Sequence, residues 1–286
     1  MTAAWPPSPA APPSPAAPPS PAAPPSPAAP PGRIDGHLVV GGASHDFDSV
    51  RLELLGIAAR NPRLRLRVSA GFEEFADGQE VAPPAFLLSY SCNVAPSDAA
   101  LARLARFVAG GSRWFALHAT NSLLAWGPEG VSCRGLDDPF LALIGSAFQA
   151  HPPIGPFRVE PVAPHPLTAG IGPFDVTDEL YLADCADDLL VLLATRFRGM
   201  APGFVRSDWT QGSDLRPLFT LRRFGRGEIL HLALGHRRGL YDAPHRAPVL
   251  PAREEGPWLV PAFRTLVARG MAWAAGLDLA ALAAAA

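Results

Sequence analysis

Between Gly36 and Leu117 short apolar runs alternate with amphipathic stretches, and this rhythm restricts the fold more than any other property of the chain. His37 to Gly41 (HLVVG) is a short, mostly apolar run, as in a strand buried on both faces. Gly41-Gly42 ends it in a loop, and Asp48 is the expected N-cap of a helix over 49–60. That helix places Val50, Leu54, Ile57 and Ala58 on one face, and Asn61-Pro62 stops it. Leu64, Leu66 and Val68 alternate with Arg in a second strand, and Phe86 to Ser91 (FLLSYS) forms a third. Pro96-Ser97-Asp98 opens a helix through Val108, striped by Leu101, Leu104, Ala105 and Val108 and closed by Gly110-Gly111. Arg113 to Leu117 (RWFAL) is the fourth strand. A β-α-β-α-β order implies right-handed crossovers and a doubly wound, mostly parallel sheet with helices on both faces.

Beyond Trp126 the pattern is less regular. A short helix is expected over 140–144 and strands over 157–162 and 189–194. Residues 217–224 and 228–234, joined by Gly225-Arg226-Gly227, read as a C-terminal β-hairpin, and 258–275 as a long apolar helix packed back on the sheet. One α/β domain is therefore expected over 34–277. Residues 6–31 repeat PPSPAA four times before a final Pro-Pro. Proline fixes φ and donates no hydrogen bond, so 1–33 is expected to be a disordered, extended tail. The Ala-rich end, 278–286, is expected to fray.

The chain carries 24 basic and 26 acidic residues, a net charge of −2, and every basic residue is Arg. This excludes lysine Schiff-base and P-loop chemistry, and argues against nucleic acid or an anionic membrane as partner. No run of eighteen apolar residues occurs to span a bilayer. Three Cys without C-x-x-C spacing fit a reducing, cytoplasmic setting. A small molecule is the expected partner, with a homo-oligomer as an allowed assembly.

Of eight His, four follow a strand or sit in a tight loop: His45, His118, His151 and His236. Parallel sheets bind ligands outside the carboxyl ends of their strands, so loops distant in sequence converge there. His45, His118 and His236 can share one cleft, which His151 can reach from its loop. Converging imidazoles suit acid–base work or a divalent metal, Zn²⁺ or Mn²⁺, although no H-x-x-x-H pair is present. His37 and His231 lie inside strand patterns and are expected to be structural; His165 is expected in a turn and His245 at the surface. Asp46, beside His45, and Asp178-Glu179 are carboxylates that could orient an imidazole or act as a base. Arg237 and Arg238 have a solvated loop as their default. No G-x-C-x-G or G-x-S-x-G occurs, and Cys92 alone among the cysteines falls near the expected edge. An activated nucleophile for glutamine hydrolysis is therefore not expected.

Six segments in fixed order carry a family resemblance: VVGGASHDF, FVAGGSRWFALHATNS, LIGSAFQAHPP, HPLTAGI, DELY and GRGEILHLALGH. Over about residues 36–242 the chain resembles the ThuA-like (trehalose-utilisation) family of the class I glutamine amidotransferase-like superfamily. Asp48 stands near where members often carry a further His. The segment 200–214 looks like an insertion, and its Trp209 resembles a substrate-side aromatic. The resemblance implies a flavodoxin-like core and carbohydrate metabolism, with a disaccharide or 3-keto sugar as substrate. On that reading His45, His118 and Glu179 are catalytic, and Asp46, Asn121, Tyr181, Trp209 and His236 contact substrate. His45, His118, His151 and His236 are the candidate metal ligands. A non-catalytic carbohydrate-binding or complex-forming module is the alternative, and a metal-dependent hydrolase of another polar molecule a third.

Overall fold

The structure, a computed structural model, describes residues 32–75, 83–239 and 254–283. The repeat tail up to Pro31, His245 and the last three alanines lie outside the described residues. β1 (Ile34–Gly42), β2 (Leu64–Ser69), β3 (Phe86–Cys92) and β4 (Arg113–Leu117) form where the apolar runs predict them. Two twelve-residue helices connect them, α1 (Phe47–Ala58) and α2 (Asp98–Ala109). The cap of α1 is Asp46 rather than Asp48: the Asp46 carboxylate accepts from the Ser49 backbone N–H at 3.0 Å, and Asp48 lies inside the first turn.

After β4 come a small hairpin, β5 (Leu124–Gly127) and β6 (Gly130–Cys133), then the short α3 (Pro139–Ile144) and β7 (Ser146–Ala150). β8 (Gly155–Pro161), β9 (Phe174–Asp178), β10 (Leu182–Cys185), β11 (Leu190–Arg196), β12 (Leu215–Phe224) and β13 (Gly227–Leu232) follow. α4 (Pro261–Ala274) closes the fold. It starts later than the apolar run because Pro261 lacks an N–H and is accommodated in a first turn; Trp258 falls in a separate 3₁₀ turn.

The main sheet has nine strands in the order β2-β1-β3-β4-β13-β12-β11-β8-β9. From β2 to β13 every pairing is parallel, and from β13 to β9 every pairing is antiparallel. The expected mostly parallel sheet is thus parallel over only half its width. The tight β12–β13 turn reverses the chain, and the strands added beyond it continue in alternating direction. Period-two alternation splits the core between the two faces. Leu38, Val40, Leu88, Tyr90, Phe115 and Leu117 pack with α1 and α4. Val39, Leu87, Trp114 and Ala116 pack with α2 and α3. At the C-terminus, where fraying is expected, Leu282 is fully buried and the Arg60 guanidinium donates to its carbonyl at 2.8 Å. Among the described residues no helix is long and apolar enough to cross a membrane.

Among the described residues three non-glycine residues have positive φ: Ser44 (71°), Asn93 (57°) and His118 (46°). Each lies just past the carboxyl end of a parallel strand, β1, β3 or β4. Backbone strain of this kind gathers where side chains are aimed for function.

Candidate metal centre

His45 follows β1, His118 follows β4, His236 follows β13 and Glu179 follows β9. β9 is the far edge strand, yet Glu179 reaches the middle because Asp178 fastens the two strand ends together. Its buried carboxylate accepts from the backbone N–H groups of Gly235 (2.9 Å), His236 (3.0 Å) and Glu179 (2.9 Å). Gly42 lets β1 deliver its loop: φ is +119° and a Cβ would stand 1.9 Å from the Cys92 carbonyl oxygen.

All four side chains are buried, and one ligand atom from each lies within 4.8 Å of the others. His45 Nε2 is 3.1 Å from His118 Nε2. Glu179 Oε2 is 3.6 Å from His45 Nε2, 3.5 Å from His118 Nε2 and 3.2 Å from His236 Nδ1. Ligand atoms about 2.0–2.1 Å from a tetrahedral ion stand roughly 3.3–3.4 Å apart, and these separations bracket that value. The outward nitrogens are committed. His45 Nδ1 donates to the Ala43 carbonyl (3.2 Å) and His118 Nδ1 to the Ala233 carbonyl (2.8 Å). His236 Nε2 donates to Glu254 Oε2 at 2.7 Å. In the neutral rings these partners keep the proton on the outward nitrogens and leave the inward ones open to a cation. His236 Nδ1 is buried with no hydrogen-bond partner. Three lone pairs and a carboxylate turned on one another call for positive charge between them. Three imidazoles and one carboxylate suit Zn²⁺ or Mn²⁺.

The electrostatics agree. Burial pushes the Glu179 carboxyl up, but the imidazoles of His236 and His151 hold it well below the usual carboxylate range. Burial opposes charge on His236, and the Glu179 carboxylate outweighs it, raising the imidazole to about 10. Burial takes His118 down to about 3. The site keeps its anion and draws in cations.

Of the expected ligands, His151 stands apart. Its Nε2 is 3.6 Å from the other Glu179 oxygen, and its side chain is 26% exposed; Glu179 takes the fourth position instead. Tyr181 joins the cluster, with its hydroxyl 3.2 Å from His118 Nε2 and its ring stacked at 4.4 Å. Of the five expected substrate contacts Tyr181 alone lines the cleft, and His236 is buried in the ligand set. Asp46 is engaged as the α1 cap. Asn121 is fully buried, its amide donating to the Ser146 hydroxyl at 2.8 Å. Trp209 is 5% exposed, with the Arg206 and Arg216 guanidinium groups 4.1 and 5.0 Å from its ring centre. Arg237 and Arg238 are not solvated: Arg237 lies 2.8 Å from Glu255, and Arg238 lies 3.5 Å from Glu179 and 3.4 Å from Glu254. His37, His165 and His231 take structural contacts, with the Ser69 hydroxyl, the Leu167 N–H and the His118 carbonyl.

The centre opens into a cleft of about 400 Å³. His45, His151, Glu179, Tyr181 and Arg238 supply its polar wall, and Leu124, Trp126, Phe148 and Phe204 its apolar one. Two contributors escaped the sequence reading. Glu254 lies far from any motif. Trp126 sits in Trp-Gly-Pro-Glu-Gly, a turn signature that marks a hairpin tip carrying an aromatic.

Residues 44–250 match the family model described as ThuA, trehalose utilisation. The chain belongs to the ThuA family. Solved structures share its fold at low identity. A ThuA-like protein from Parabacteroides merdae is 15% identical, with TM-score 0.56 over 86% of this chain and 91% of that one. A second, from Bacteroides uniformis, is 14% identical, with TM-score 0.53 over 71% and 82%. A β-galactosidase from a Rahnella species is 12% identical, with TM-score 0.52 over 86% of this chain and 32% of that one. No curated protein matches the chain. Within this ThuA-family chain the matched region contains His45, His118, Glu179 and His236, but not Glu254.

Proposed function

We propose that this ThuA-family protein is a sugar-converting enzyme that acts on a disaccharide or its 3-keto form through a divalent-metal centre, with the keto form losing a proton from the carbon next to its ketone. The observation that carries this reading is the buried set of inward-facing His45, His118, His236 and Glu179, each imidazole held from outside by a carbonyl or carboxylate. A Zn²⁺ or Mn²⁺ ion bound there would supply Lewis acidity toward the substrate carbonyl. The chain's own residues do the rest. Tyr181 holds the His118 ring by stacking, with its hydroxyl beside the ligand nitrogen, and Glu254 holds His236. Leu124, Phe148 and Phe204 exclude water from one side of the cleft. His151, outside the ligand set and partly exposed on the cleft wall, is our assignment for the group that takes a proton from a substrate carbon and returns it. The family description, trehalose utilisation, supports a sugar as substrate.

The test strips the protein with chelator, resupplies Zn²⁺ or Mn²⁺, and assays 3-keto-disaccharides. Metal-dependent turnover, lost in His118→Ala while ligand binding persists, supports the reading. Absence of turnover across a broad keto-sugar panel overturns it. An unmodified sugar bound in calorimetry but never converted leads instead to the non-catalytic binding module.

A further inference from the structure

We propose that the mouth of the cleft is a subsite for an uncharged sugar ring, with the Trp126 indole as its stacking platform, so that the substrate is an unphosphorylated disaccharide or glycoside rather than a sugar phosphate. This rests on the sugar-converting reading above and adds a specificity determinant to it.

Trp126 is 61% exposed, whereas the other described tryptophans, Trp114, Trp209, Trp258 and Trp273, are each at most 8% exposed. The indole lies on the cleft wall beside Leu124, Phe148 and Phe204, so its exposed face borders the space a ligand would fill. The hairpin that carries it is held in place. It is tied to the 199–208 segment, with the Val131 N–H donating to the Gly203 carbonyl (2.8 Å) and the Val205 N–H to the Val131 carbonyl (2.9 Å). At the base of the hairpin the Leu124 N–H donates to the Asn93 side chain at 2.8 Å. A pyranose has an apolar C–H face and a hydroxyl edge, and this cleft has a matching aromatic wall and polar wall.

Charge decides between a neutral and a phosphorylated sugar. Phosphate is bound by guanidinium or ammonium groups with donors to spare, or by the open N-terminus of a helix. The chain has no Lys. Among the described residues lining the cleft, Arg238 is the one arginine, and the carboxylates of Glu179 and Glu254 already engage it. α1 starts beside His45, but Asp46 occupies its cap and Asp48 adds negative charge to its first turn. A phosphate dianion finds on these walls only an arginine flanked by carboxylates and a capped helix end, whereas a neutral polyol needs neither.

Calorimetric titration of the metal-loaded protein with trehalose, glucose and glucose 6-phosphate tests this, on native protein, Trp126→Ala and Trp126→Phe. The exposed position of Trp126 leaves the core intact in both variants. Expected are tighter binding of trehalose than of glucose, and no gain from the phosphate. Trp126→Ala should weaken trehalose binding about five- to tenfold, and Trp126→Phe should keep it within about twofold of native. Equal trehalose affinity in native protein and Trp126→Ala, or tighter binding of glucose 6-phosphate than of glucose, overturns the subsite and leaves the sugar reading standing. Failure of the native protein to bind trehalose or its 3-keto form overturns both.

Discussion

The Nε2 atoms of His45 and His118 face each other across 3.1 Å while each ring's Nδ1 is turned outward onto a backbone carbonyl. Two imidazole nitrogens at that distance, with a carboxylate beside them, need a cation between them, either a proton or a metal ion. The native protein, dialysed against Zn²⁺ or Mn²⁺ and then against metal-free buffer, should retain about one equivalent by elemental analysis. His118→Ala should retain almost none. Glu254→Gln, which exchanges the charged acceptor of His236 for a neutral amide, should bind the ion about 10–100-fold more weakly. A native protein that emerges metal-free would remove the centre.

Asp178 makes a stability prediction. Its carboxylate accepts from three backbone N–H groups and thereby joins the end of β9 to the turn after β13. Asp178→Ala leaves those donors buried without partners and should cost about 3–5 kcal/mol in urea unfolding. Metal retention should fall with it, because Glu179 and His236 both hang from this joint. A loss under about 1 kcal/mol would show that the joint is held by other contacts.

The physical reasons for what was legible are local. β1 to β4 and α1 and α2 carry one clear period each, so their order and the carboxyl-edge position of His45 and His118 follow from the pattern. The short strands after β4 were harder to read. β7, β9 and β10 have four or five residues each, too few for a period to declare itself, and the route that brings Glu179 to the centre depends on Asp178 contacts far away in sequence. Asp46 and Trp209 were misplaced for a shared reason: a carboxylate beside a functional His and an aromatic in a loop look the same whether they face a ligand, a helix end or a pair of guanidinium groups. Trp126 differs from Trp209 only in what the fold leaves uncovered.

The cysteines bear on nucleophilic chemistry. Burial pushes the Cys133 thiol up to about 12 and the Cys185 thiol up to about 11. A raised pKa keeps the sulfur protonated, so iodoacetamide labelling of both should rise with pH roughly tenfold per unit between pH 7 and 10. At pH 8 it should run roughly two orders of magnitude or more below that of an unperturbed cysteine. Peptide-level mass spectrometry over a pH series measures both rates. Fast labelling of either at pH 7 would reveal an activated thiol and reopen acyl-transfer chemistry.

His151 separates holding the ion from moving the proton. Its Nε2 lies 3.6 Å from Glu179 Oε1, its Nδ1 donates to the Pro152 carbonyl at 2.7 Å, and it is outside the four-residue ligand set. His151→Asn preserves a polar side chain at the cleft but removes the exchangeable ring proton. Metal content should therefore stay within about twofold of native, while kcat on a 3-keto-disaccharide falls by about 10²–10⁴, the usual contribution of a positioned acid–base group. KM should change little, because the sugar is held by the cleft walls. If metal content falls together with kcat, His151 is a ligand after all; if kcat survives, the proton moves through a different residue, and Tyr181 is the next candidate to vary.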